Sequence, residues 1–382
     1  METRTRFRQL EGALMGQGIL ALFDRILLPG RLIHGRRWRI VLQFKANVQS
    51  CGVKAALRGG LMVNQRWNRR DFLTVTGLGA AGLSQPGLLR GETAAAATPD
   101  TKFYTCLSLG RIGFKATFRE SLDLAAKYGF ESVDPDPGYF AQLSDGELEK
   151  LLEEMKSRNL KLGDAGLPVN FRKDEAAFSE GLAKLPAVAK VLQKAGVTRV
   201  STYILSFNND LTYLQNFRSH AYRLRACAEI LKDHGQRLGL EYVGPRTSWR
   251  SMRHPFIHTM SEAKELIVAI GTGNVGVQLD TYHWFNAEET EEDILTLRDE
   301  DVVTVDLNDA PVGLTLDEQK DLSRELPAAT GVIPVKDFLD GLRKIGYDGP
   351  VHAEPFNKAL RALPIEEACE KTAAAVKKAL AL

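Results

Sequence analysis

From Phe103 onward, short apolar runs alternate with longer amphipathic stretches, a rhythm that few folds accommodate. The runs are FYTCL (103–107), ESVDP (131–135), LKLGDAG (160–166), RVSTYIL (199–205), LGLEYVG (238–244), VGVQLD (275–280), VVTVDLND (302–309) and PVHAEPF (350–356). Each is short and bounded by Gly, Pro or polar residues, as strands are. Between them, stretches such as FRESLDLAAKYG and DGELEKLLEEMKSRN place apolar residues three and four apart, which predicts helices, several stopped by Gly or Asn. A last such stretch, IEEACEKTAAAVKKAL, follows the final run. Strand then helix, repeated eight times, predicts an α/β fold of the (β/α)8 TIM-barrel type. An open doubly wound sheet would call for a glycine-rich phosphate turn after its first strand, and SLGRIGFK lacks that spacing.

Charge separates this body from what precedes it. Residues 1–61 carry 11 Lys/Arg against 3 Asp/Glu, whereas the chain from Thr98 carries 35 against 43. An acidic body repels phosphate backbones, so nucleic acid is an unexpected partner. Within NRRDFLTVTGLGAAGL (68–83), Arg69 and Arg70 precede Phe72 and a weakly apolar Gly/Ala run, with small residues at Ala94–Ala97 beyond. The arrangement resembles a twin-arginine export signal, which implies the twin-arginine machinery as a partner and a periplasmic or other extracytoplasmic location. The expected organisation is a non-native upstream extension or disordered stretch over 1–61, a start at Met62, a signal over 62–97 and a barrel over 98–382. The apolar runs near the front are too short and too interrupted to cross a bilayer, so no membrane association is expected after cleavage. Cys106, Cys227 and Cys369 show no CxxC spacing and read as core thiols.

In such a barrel, function sits where strands stop, so polar residues should interrupt the apolar runs at their carboxyl ends. Glu241, Asp280, Asp306 and Glu354 do so on the fifth to eighth strands. Any one of them alone reads equally well as a helix cap or a solvated loop residue. Four on neighbouring strands would repel one another, and a divalent cation would relieve that repulsion, with oxygen ligands favouring Mn2+ or Mg2+.

LEYVG, VQLDTYHW, VDLNDAP and HAEPF together resemble the site series of the xylose-isomerase-like barrel superfamily of sugar isomerases and epimerases. The resemblance implies metal ligation by Glu241, Asp280 and Glu354, and substrate or metal binding by His283. Asp306 departs from it, standing where the family more often has His. The implied activity is isomerisation or epimerisation of a sugar or related polyhydroxy carbonyl compound through an enediolate, with Glu241 and Glu354 as base and acid. His283 would bind a substrate hydroxyl or, more plainly, orient Asp280. Trp284 reads either as a face for the apolar side of the substrate or as rim packing of the barrel, Arg246 either as a contact to an anionic substituent or as a solvated loop residue, and a homo-oligomer is allowed. Alternatives from other classes are a dehydratase or lyase of a keto-sugar or keto-inositol, and a non-catalytic carbohydrate-binding barrel whose site Asp306 has altered.

Overall fold

A computed structural model describes residues 101–382, so the expected extension and export signal lie outside the described residues. Parallel strands follow one another as Tyr104–Leu107, Ser132–Val133, a third strand in two pieces (Lys161–Leu162 and Ala165–Gly166), Arg199–Tyr203, Arg237–Glu241, Val275–Asp280, Val302–Leu307 and Pro350–Ala353. The first strand pairs with both the second and the last, and the two pieces of the third lie at the two ends of the sheet order. Lys161–Leu162 pairs with the second strand and Ala165–Gly166 with the fourth, so the sheet closes on itself across Gly163 and Asp164. That closed parallel sheet, wrapped by helices, is the predicted barrel.

At the break, a Cβ on Gly163 would stand 2.6 Å from Cys106 Sγ, so the close approach of the third strand to the first there calls for glycine. Asp164, the next residue, is buried.

Capping explains where the outer helices begin. Thr117 and Ser144 each close a capping box with a glutamate three residues on, opening Phe118–Tyr128 and Asp145–Ser157. Gly129, Gly271 and Gly346 end Phe118–Tyr128, Met260–Ile270 and Val335–Ile345 in the left-handed conformation. Two regions depart from the simple alternation. The pattern TEEDILTLRD yields only Glu291–Ile294 and a 3-10 turn at Asp299–Asp301, because Thr290 and Arg298 each start a new capped turn. A small antiparallel pair, Phe207–Asn208 with His254–Pro255, joins the loops after the fourth and fifth strands. All three cysteines among the described residues are buried and free, as core thiols should be. None of the described helices is long and apolar enough to cross a membrane.

Candidate active site

The fifth, sixth and eighth strands deliver Glu241, Asp280 and Glu354 to one end of the barrel. Asp280 both ends its strand and caps the helix that follows. As the cap of Thr281–Asn286, its Oδ1 accepts from the backbone N–H groups of Tyr282 (2.6 Å) and His283 (3.2 Å). That cap turns the chain sharply, so His283 comes back over the barrel end with its Nε2 3.7 Å from Glu241 Oε1. Glu241 Oε1 itself is buried and accepts no hydrogen bond.

Gly244 makes the approach of the two segments possible. A Cβ there would lie 2.3 Å from the His283 carbonyl oxygen, a distance that no side-chain adjustment relieves. Gly244→Ala should therefore cost about 1–3 kcal/mol in folding stability, read as a lower denaturant midpoint, by forcing strand five and the His283 helix apart.

The centre of the site is filled by a residue that the strands do not supply. Arg324 lies in the irregular segment 308–334 after the seventh strand, and its side chain is 1% exposed. All five of its N–H groups find acceptors: Nε donates to Asp321 O (2.8 Å), Nη2 to Asp321 Oδ1 (2.6 Å) and toward His283 Nε2 (3.2 Å). Nη1 donates to Asp280 Oδ2 (2.8 Å) and Glu354 Oε2 (3.1 Å). The guanidinium also lies over the rings of Tyr282 and Phe356, 5.0 and 4.7 Å from their centroids. Phe356 holds that place at φ +39°, a backbone conformation that non-glycine residues rarely adopt.

Asp309 anchors the segment that carries Arg324. Its Oδ1 accepts from Ala310 N and Ile333 N, its Oδ2 from Thr330 N and Gly331 N, and its backbone bridges to Glu325.

Asp306 takes part in a second, adjoining cluster. Its Oδ2 accepts from Gln278 Nε2 (2.7 Å), and its Oδ1 is 3.2 Å from Arg111 Nε. Arg111 also reaches Asp164 (3.2 Å) and Asp134 (3.6 Å). His352 Nε2 lies 3.2 Å from Asp134 Oδ1 and 3.3 Å from Asp164 Oδ1. Ser201 and Thr304 hydroxyls complete the shell of Asp164. Neighbouring Arg111 and His352 hold the Asp164 carboxyl well below the usual range despite its burial.

The proton inventory is set mostly by desolvation. Burial, followed by repulsion from Glu354 and Asp280, drives Glu241 well above the ordinary carboxyl range. Burial also lifts Glu354 to about 8, with Arg324 opposing the rise. Asp280 rises to about 6, burial again outweighing Arg324 and the backbone donors. Burial and the facing guanidinium depress His283 to about 3, so its ring is neutral. A neutral ring offers one acceptor nitrogen, and donors face both: Arg324 Nη2 lies 3.2 Å from Nε2 and the Gly244 N–H 3.4 Å from Nδ1.

These neighbours decide how well a metal ion fits. Glu241, Asp280 and His283 each bring a ligand atom within 4.8 Å of the others, a spacing that one divalent ion can bridge. Part of that donor set is committed elsewhere: Glu241 Oε1 is free, but Asp280 is not. Asp280 Oδ1 accepts two hydrogen bonds, and its Oδ2 accepts from Arg324 and from Asn308 Nδ2 (2.8 Å), which uses every lone pair of the carboxylate. An ion would also have to stand against the Arg324 guanidinium, so Asp280 as arranged does not fit a metal. Of the four carboxylates expected around one cation, Asp306 is paired with Arg111 and Gln278 and keeps its Oδ1 without a hydrogen bond, while Arg324 stands between Asp280 and Glu354.

Two expected substrate contacts lie elsewhere. Trp284 is packed in the core edge-on to Phe338, its Nε1 donating to Thr290 O (3.1 Å), because the turn capped by Asp280 points it away from the barrel end. Arg246 is paired on the surface with Glu288 and Asp317. Solvent reaches the site instead past Glu354 (15% exposed) and Asp321 (25%).

Comparison with known proteins agrees with this architecture. The family described as xylose isomerase-like TIM barrel matches residues 122–379. Inosose isomerase of Bacillus velezensis is 25% identical over 279 residues, covering 69% of this chain and 93% of its own. A xylose isomerase domain protein from Alicyclobacillus acidocaldarius superposes with a TM-score of 0.65 at 30% identity, over 73% of this chain and 98% of its own. The IolI protein crystallised with a bound zinc atom shares the fold at a TM-score of 0.60 and 20% identity, over 73% of this chain and 98% of its own.

Proposed function

Because the chain belongs to the xylose isomerase-like TIM barrel family, we propose that it is an isomerase or epimerase of a polyhydroxylated, sugar-like carbonyl compound, moving a proton through an enediolate. The observation that carries this reading is the pair Glu241 and Glu354, two carboxyl groups whose proton affinities burial has raised toward and beyond neutrality at the barrel end. Groups poised in that way give and take protons near neutral pH, where a positioned acid and base transfer protons most effectively. The inosose isomerase relative supports a cyclic or open-chain polyol ketone as substrate.

Roles follow from the ordering of the two acids. Glu354, titrating at about 8 and the more exposed of the pair, is the base that takes the proton from the carbon beside the carbonyl. Glu241, which holds its proton more tightly, is the acid that hydrogen-bonds the developing oxyanion. His283, neutral and fixed by the Asp280 cap, holds the Arg324 guanidinium and faces Glu241. No step is assigned to the Mn2+ or Mg2+ that carboxylates alone would favour, since Asp280 has no free lone pair to offer one.

The test is incubation with inososes and ketohexoses in heavy water, followed by NMR. Deuterium at the carbon beside the carbonyl, with a new isomer or epimer, is the expected result. Loss of water would assign a dehydratase, and absence of exchange with every polyol ketone would overturn the reading. The pH dependence has a defined sign. Glu354 must be ionised to act as base, so kcat/KM should fall about tenfold per pH unit below its pKa and level off above about 8.

A further inference from the structure

We propose that Arg324 is the resident cation of this site and takes the place that a divalent metal would otherwise fill, so that the chain works without a metal ion. The geometry carries the inference. The guanidinium contacts Asp280, Glu354, His283 and Asp321 at 2.6–3.2 Å, all five N–H groups are accepted, and aromatic rings lie on it from Tyr282 and Phe356. The Asp321 carbonyl oxygen and the ring of Phe356, whose backbone stands at φ +39°, also hold the guanidinium in place.

Asp306 and Arg111 complete the same substitution. A carboxylate at Asp306 adds negative charge to the barrel interior, and the Arg111 guanidinium 3.2 Å away compensates it. Two arginines, Arg324 buried and Arg111 partly so, therefore balance much of the acidic charge of the barrel end. Each arginine is planar, always protonated and held by several bonds, so its charge cannot be chelated away.

With every N–H committed, Arg324 acts as a positioning residue. It fixes the carboxylates of Asp280 and Glu354, and its charge favours the ionised form of Glu354 that takes up the substrate proton. The proposal rests on the isomerase reading for that last role only. The metal question can be asked without any substrate, so the two can fail separately.

The experiment titrates the full-length protein with Zn2+ and Mn2+ by calorimetry, and measures its metal content after purification by plasma mass spectrometry. Wild type is expected to bind neither ion stoichiometrically and to keep its activity in EDTA. Arg324→Ala is expected to gain a one-to-one Zn2+ site, because it uncovers Asp280 Oδ2 and Glu354 Oε2 beside Glu241 and His283. Should the alanine variant fail to fold, Arg324→Met fills the slot beside Tyr282 and Phe356 without charge and is expected to gain the same site. In that variant the pH profile of any residual exchange should also shift upward. One equivalent of metal in wild type, removed by chelator together with activity, would overturn the proposal. So would a folded, uncharged variant that binds zinc no better than wild type.

Discussion

Replacing Glu354 by glutamine should lower the rate of deuterium exchange into a polyol ketone by about 10²–10⁴-fold, the usual contribution of a positioned proton-transfer group. The amide cannot take up a proton, yet its oxygen can still accept from Arg324 Nη1, as the Glu354 carboxylate does at 3.1 Å. The fold should therefore survive, and thermal unfolding followed by circular dichroism should give a midpoint near that of wild type. Glu354 is also among the carboxylates that raise Glu241, so removing its charge relaxes a repulsion as well as deleting a base. Undiminished exchange in Glu354→Gln would remove the basis for placing the reaction at the end of the eighth strand.

Asp280→Ala should have the larger effect on folding. The side chain is wholly buried, neutralises Arg324, accepts from Asn308 and caps the following helix with two backbone bonds. Removing it leaves a buried guanidinium short of a partner, a change that typically costs about 3–5 kcal/mol. The corresponding fall in melting temperature is on the order of 10 °C. Asparagine is a poor rescue, because its NH2 group would face the donors of Arg324 and Asn308 in place of an acceptor. A near-neutral Asp280→Ala would mean that the ion pair contributes little, and that the pocket around Arg324 is more solvated than its burial indicates.

The barrel was legible in the sequence for a definite reason. Parallel strands buried on both faces read as apolar runs, so carboxylates that end them stand out, as Glu241 and Glu354 do. Asp280 was legible twice over, as a strand end and as the start of the DTYHW turn. Trp284 was misplaced because proximity in sequence is not proximity in space: the same turn that brings His283 to the site carries Trp284 into the core.

What stayed hidden is equally specific. Arg324 sits in DLSREL, a stretch with no helical or strand period, where an arginine beside acidic residues reads as a solvated turn. Its burial depends on Asp280 and Glu354, which are distant in sequence. Arg111 belongs to SLGRIGFK, a loop whose spacing was informative only about phosphate binding. Asp134 and His352 lay inside runs recognised as strands, ESVDP and PVHAEPF, and a polar residue at a strand end or between valine and alanine was the available signal. Asp164 needed the break at Gly163, which only the crowding against Cys106 reveals.

The four amide groups gathered by Asp309 have a consequence for how such a protein can change. Both ends of the 308–334 excursion are tied to one side chain at the tip of a barrel strand, so the stretch between them can lengthen, shorten or be exchanged while the strands stay in register. The positive charge travels with that excursion. A lineage built on this frame could thus trade an organic cation for an inorganic one by rewriting a surface insert, leaving the acid groups where they stand.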